Sequence, residues 1–132
     1  MNVRLGVLIA GISLLGSGAR IAAHHSTAAD FDEDKSVTIK GTVSKIEWEN
    51  PHARFFVDRT APDGKLESWS FELASPNSLT RGGWGRRTLT VGEEVSATGS
   101  PARSGKTMAV THSVTKADGK KLFTGTMGIT DK

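Results

Sequence analysis

The residues with the most chemistry in this chain are its four histidines. His24 and His25 are adjacent, His52 follows Asn50-Pro51, and His112 lies in an alternating apolar stretch. Imidazole titrates near neutral pH and is a common nitrogen ligand for metals. If His24 begins a mature chain, its α-amine and Nδ1 can close a chelate ring on one metal ion. His25 or His52 then supplies a further nitrogen. Tetragonal nitrogen coordination suits Cu(II), which also tops the divalent affinity order. Binding requires the amine and imidazoles to lose their protons, and copper competes for them best. The candidate ligands are therefore His24, His25 and His52, for one Cu(II). The plainer reading gives His24 and His25 to a polar arm, His52 to a turn cap, and His112 to the inward face of a strand.

Other chemistries fit less well. Gly99 to Thr107 (GSPARSGKT) imitates a phosphate-binding loop, but five residues separate Gly99 from Gly105-Lys106 where four are needed. A strand pattern follows it, so no helix N-terminus faces a phosphate. Serines are present without a nucleophile-elbow pattern, so a Ser-His-Asp arrangement has no local signature. Glu47 with Glu49, and Glu93 with Glu94, read as solvated surface pairs rather than an acid and base. No catalytic residues are assigned, and the chain is read as non-enzymatic.

The elements that must position these residues begin after a leader. Arg4 is followed by the uncharged run Leu5 to Leu15 and a small-residue stretch ending Ala22-Ala23. That is the layout of a secretory signal peptide. The run is too short to span a bilayer, which needs about 20 residues. Residues 1–23 are thus a signal peptide, and cleavage after Ala23 leaves His24 at the N-terminus. A cut after Ala22 would instead start the chain at Ala23. The expected location is the periplasm or the exterior, with no membrane span after cleavage.

Residues 24–36 form a polar arm with one aromatic, Phe31, and its part from His24 to Asp30 is read as short on structure and able to swing toward the barrel. A single β-domain spans 37–125, and 126–132 form a frayed tail. In 37–48 the apolar parity switches between Val43 and Ile46, which implies a bulge or bend in a long first strand. Residues 53–59 and 66–73 alternate as half-buried antiparallel strands. Ser75-Pro76 opens a short helix that Gly82-Gly83 ends. Strands follow over 88–99 and 106–115, and Lys121–Thr124 adds a short edge. Three strands, a helical connection, then two or three more match a small five- to six-stranded antiparallel Greek-key barrel, the OB-fold. The expected core is Val43, Phe55, Trp69, Phe71, Val95, Val110 and Val114. Trp84, in a Gly-rich loop, is read as packing, with a lid or partner anchor as its other role.

Composition narrows the classes further. The chain has 132 residues, enough for one domain. It has no Cys, which excludes disulfides, Cys-based zinc sites and thiol nucleophiles. Removing residues 1–23 takes away Arg4 and Arg20 and no acid, so 17 basic side chains become 15 against 14 acidic ones. No clustered basic face remains for nucleic acid. The expected partner is an envelope protein or a small ligand, and the chain is expected to be a monomer.

Several phrases together are familiar: His24-His25-Ser26, Glu47-Trp48-Glu49-Asn50-Pro51-His52, Ser75-Pro76-Asn77 with Leu79 and Arg81, Gly83-Trp84, and Pro101-Ala102-Arg103. In this combination the chain resembles the exported bacterial proteins grouped as domain of unknown function 6152. The resemblance covers His24 to about Gly125 and implies export and a single β-domain. It implies no activity, because none is assigned to that family. Two departures stand out: Gly83-Trp84-Gly85-Arg86 replaces a more usual Gly-Trp-Thr-Arg, and Ala53-Arg54 follows the Asn-Pro-His in place of a more apolar pair.

The functional reading is an exported β-barrel binding or accessory module, or alternatively a copper-binding or copper-handling protein. The intact mass of the exported protein is expected to correspond to a chain starting at His24. A mass that still includes Met1 to Ala23 would refute processing.

Overall fold

A computed structural model describes residues 27–124. The expected signal peptide, His24, His25 and the expected tail lie outside the described residues. The elements are α1 (Thr27–Asp30), β1 (Val37–Glu47), β2 (Arg54–Thr60), β3 (Leu66–Glu72), α2 (Pro76–Arg81), β4 (Glu94–Pro101), β5 (Met108–Lys116) and β6 (Lys121–Thr124). The sheet order is β3-β2-β1-β4-β5-β6, and β3 also pairs with β5. That last contact closes the first five strands into a barrel, and β6 extends β5 on the outside. The fold is the small β-barrel with a helix between β3 and β4 that the strand order predicts. The neighbours along the sheet are antiparallel, whereas the closing β3–β5 pair is parallel, from Ser70 with Met108 to Glu72 with Val110.

The first strand serves both halves of the barrel. Its N-terminal part pairs with β4, and Thr42 onward pairs with β2. The register to β2 slips between Val43 and Lys45, so Ser44 is the extra residue of a β-bulge. This is the parity switch expected from the sequence. Gly41 lies just before the bulge because a Cβ there would run into the Asp58 carbonyl oxygen.

A second bulge corrects the expectation for the fifth strand. On β4, Thr98 and Gly99 are consecutive, but their partners on β5 are Ser113 and Thr111, which leaves His112 as the extra residue. The strand therefore changes parity at His112. Ala109 is in the interior cluster before the switch and Val114 after it. His112 itself is only half-buried and does not belong to the core. Val110 is buried but stands outside the interior cluster. It pairs with Ser100, also fully buried, on the outward parity of β4.

The element beside that outward patch is the N-terminal arm. Phe31 pairs with Ala102, the Asp32 N–H donates to the Pro101 carbonyl at 2.9 Å, and the Arg103 N–H donates to the Asp30 carbonyl at 2.9 Å. Phe31 is 4% exposed yet lies outside the interior cluster, as Val110 does. From Thr27 on, then, the arm is a helical turn followed by a docked strap, not a free segment. The cause is Phe31, whose burial on the barrel exterior fixes the backbone around it.

The core is a stack of large side chains. Ile39, Val43, Phe55, Val57, Phe71, Val95 and Ala97 fill the barrel, and Phe55 stacks on Phe71 with centroids 5.3 Å apart. Below them, α2 contributes Leu79. The Ser75 hydroxyl accepts from the Ser78 N–H to cap that helix, and Pro76 occupies its first turn. Trp84 is 7% exposed, joins the same cluster, and donates its indole N–H to the Leu122 carbonyl at 3.2 Å. It is a packing residue. Trp69 is only partly buried: it packs on the cluster while Arg59 lies over its ring and Glu67 accepts its indole N–H at 2.9 Å. It caps the barrel where it was expected to fill it.

Phe71→Ala should destabilise the fold by about 3–5 kcal/mol, because the neighbours of a fully enclosed ring cannot collapse into its space. Leu66→Ala, at a side chain 85% exposed, should change stability by no more than about 0.5 kcal/mol. Urea unfolding of both variants measures the contrast.

Candidate functional site

The β1–β2 connection carries the one predicted site residue that lies within the described chain. β1 ends at Glu47, and the chain turns through Trp48, Glu49 and a cis Asn50–Pro51 bond before reaching His52. Two backbone bonds then clamp the turn to the end of β3. The Ala53 N–H donates to the Ala74 carbonyl at 3.0 Å, and the Leu73 N–H donates to the Ala53 carbonyl at 2.8 Å. The clamp sets the imidazole of His52 against the last residues of β3.

Its Nδ1 lies 3.2 Å from the Leu73 carbonyl oxygen. A carbonyl only accepts, so Nδ1 carries a proton and donates it to that oxygen. The Glu72 Oε1 is 3.8 Å from the same Nδ1, and the two side chains are 29% and 18% exposed. Among the described residues Nε2 has no partner. The ring is thus held through one nitrogen, with the other turned to no protein group among the described residues.

Charges around the turn are largely paired. Arg54 lies between Glu47 on β1 and Glu72 on β3 in the ladder, and its Nε approaches Glu47 at 3.6 Å. Glu47 also binds Lys45 at 2.6 Å. Beside them runs an open groove of about 470 Å³ lined by Lys45, Ile46, Glu47, Trp48, Glu49 and Arg86. Behind it, Trp48, Phe55, Leu73, Trp84 and Leu89 enclose about 10 Å³, barely the volume one water needs.

The remaining candidates are distributed as follows. His24 and His25 lie outside the described residues. His112, on its bulge, has Nε2 3.0 Å from the Ser100 hydroxyl. That serine is fully buried, so the pair closes a polar gap in the outer patch and offers no reagent to a substrate. Among the described residues no three His, Cys, Asp or Glu side chains converge to hold a metal. Glu72 was not singled out from the sequence. Its position as the last outward residue of the alternating run 66–73, facing the strand that follows Asn-Pro-His, is the signal that finds it.

Comparison with known proteins bears on the whole chain. The model of a family of unknown function, DUF6152, matches residues 12–115. The chain belongs to this family. No curated protein and no solved structure matches it. For this DUF6152 chain the His52 turn falls within the matched span, as do the Trp84 loop and every strand of the closed barrel except the last residue of β5.

Acid stability follows from four carboxylates held below their ordinary range. Glu67 is lowered by the Trp69 indole N–H and then by Arg59. Glu47 is lowered first by Lys45, and Asp32 first by Lys35. At Glu93 burial pulls upward, but bonds from Lys116 and Thr90 outweigh it. A carboxyl with a depressed folded value stabilises the fold above its unfolded value, and the effect disappears as pH falls through the folded value. The ordinary values are 4.5 for Glu and 3.8 for Asp. The melting temperature should therefore hold from neutral pH to about 5 and fall steadily below about 4. Thermal melts across that series check it.

Proposed function

We propose that this protein is an exported, non-enzymatic β-barrel binding module. The barrel interior is closed by its own side chains, so a ligand must be met on the outer surface. The carboxylates that resemble acid–base pairs are engaged in ion pairs, as at Glu47 and Glu93. The serine nearest a histidine, Ser100, is fully buried. These points favour binding over catalysis.

The observation that favours a particular ligand is the anchoring of His52 through Nδ1 on the Leu73 carbonyl, which leaves Nε2 as the nitrogen for a metal. On that basis the ligand is one Cu(II), held by the amine and imidazole of a processed His24 with His52, or His25, as the further nitrogen. The arm is anchored at β4 beside Pro101 and Ala102. The His52 turn leads into β2, which β1 separates from β4 in the sheet order, so in this reading the residues before Phe31 leave the α1 turn to bring His24 to His52.

Titration of the mature protein with Cu(II) should show one site whose affinity declines as pH falls, because amine and imidazoles must be deprotonated to bind. An extra residue before His24, or His52→Ala, should weaken binding and change the electron paramagnetic resonance spectrum. Equal affinities and spectra for the extended and unextended forms would remove the amine from the site.

A further inference from the structure

The Glu72 carboxylate has an unusual set of neighbours. It is largely buried, yet Arg54, the cation across the ladder from it, has its closest carboxylate contact with Glu47 instead. Among the described residues the one charged or polar side chain meeting the Glu72 carboxylate is the His52 ring. The backbone at Glu72 is also fixed. Its carbonyl accepts from the Thr111 hydroxyl at 2.7 Å, and Thr111 is itself fully buried on β5.

We infer that Glu72 is the positioning residue of a metal-binding His52, a carboxylate placed behind the ring to strengthen its grip on a cation at Nε2. The inference rests on the copper reading above. A cation at Nε2 draws electron density from the imidazole and makes the Nδ1 proton more positive. The Leu73 carbonyl holds that proton in place, and Glu72, 3.8 Å away, supplies the negative charge that the polarised ring then attracts. Arg54, kept on Glu47 by its own ion pair, leaves that charge unneutralised. The fixed backbone at Thr111 and Leu73 keeps ring and carboxylate from drifting apart. Glu72 thus acts through His52 and does not itself ligate.

The test is Cu(II) affinity, measured by competition with a chelator, on the mature chain and four variants. Glu72→Gln keeps size and removes charge, and should raise the dissociation constant by about 10-fold or more, the effect typical of losing an outer-sphere partner. Glu72→Asp keeps the charge at a longer distance and should fall between. Glu94→Gln, an exposed acid on β4, should bind like the wild type, which separates a local effect from a change in net charge. His52→Ala should weaken binding at least as much as Glu72→Gln does. The nitrogen hyperfine pattern in the Glu72→Gln spectrum should match the wild type, because the ligands are unchanged, and circular dichroism should show an intact fold. If His52→Ala weakens binding while Glu72→Gln binds as tightly as wild type, the role of Glu72 is wrong and the copper reading stands. If His52→Ala binds copper as the wild type does, His52 is not a ligand and the role of Glu72 falls with it, while the copper reading is decided separately by the extended N-terminus.

Discussion

Five strands close into a cylinder here only because β3 meets β5, and that contact is three residue pairs long. The other strand pairings are antiparallel and can be joined by turns, while this one is parallel and brings together residues nearly forty positions apart. Ser70 also donates its N–H to the Thr107 carbonyl, the Thr107 hydroxyl donates to the Ser68 carbonyl, and Thr111 reaches the Glu72 carbonyl. Those side bonds lengthen a short seam. The two bulges follow from closure, since β1 and β5 each have to turn between neighbours that lie in different directions. Ser44 and His112 are the residues at which they do so.

The His52 turn depends on the same seam. His52 is oriented by the carbonyl of Leu73 and the carboxylate of Glu72, and both residues sit where β3 leaves the barrel. Whatever holds the end of β3 against β5 therefore holds the histidine. The charged neighbours on the surface add a local order of their own. Lys45, Glu47 and Arg54 form a short chain of ion pairs that keeps a cation away from Glu72. Exposed pairs of this kind contribute little to stability. Their effect is on which charge faces the imidazole.

Much of this was legible in the residues. Val37, Ile39 and Val43 against Ile46 and Trp48 announce a parity switch, and Gly41 marks its neighbourhood. Clean alternation in 66–73 gives β3 its inward face, apart from Trp69, whose size and indole N–H draw it to the rim with Glu67 and Arg59. The second bulge left no such mark. Met108, Val110, His112 and Val114 alternate without interruption, and the competing face, Ala109 and Thr111, looks too small and polar to be inside. Thr111 succeeds there because its hydroxyl finds the Glu72 carbonyl. The arm misled for a related reason. One Phe among acids reads as solvated chain, but a single large apolar side chain beside Pro101 and Ala102 suffices to dock it. The fourth strand starts later than its β-branched residues suggest, because Thr88–Gly92 form turns and Thr90 binds Glu93.

The position of the closing contacts along the chain has a consequence for how the protein is made. A chain synthesised as far as Lys106 possesses β1, β2, β3 and β4, but it lacks the strand that joins β4 to β3. It also lacks Leu122, whose carbonyl takes the Trp84 indole N–H. Until the last fifth of the sequence emerges, Phe71 and Trp84 belong to an open sheet with an uncovered apolar face. Completion of the barrel is accordingly a late event, governed by contacts of high sequence separation. During that interval the growing polypeptide carries an apolar face that the finished barrel encloses.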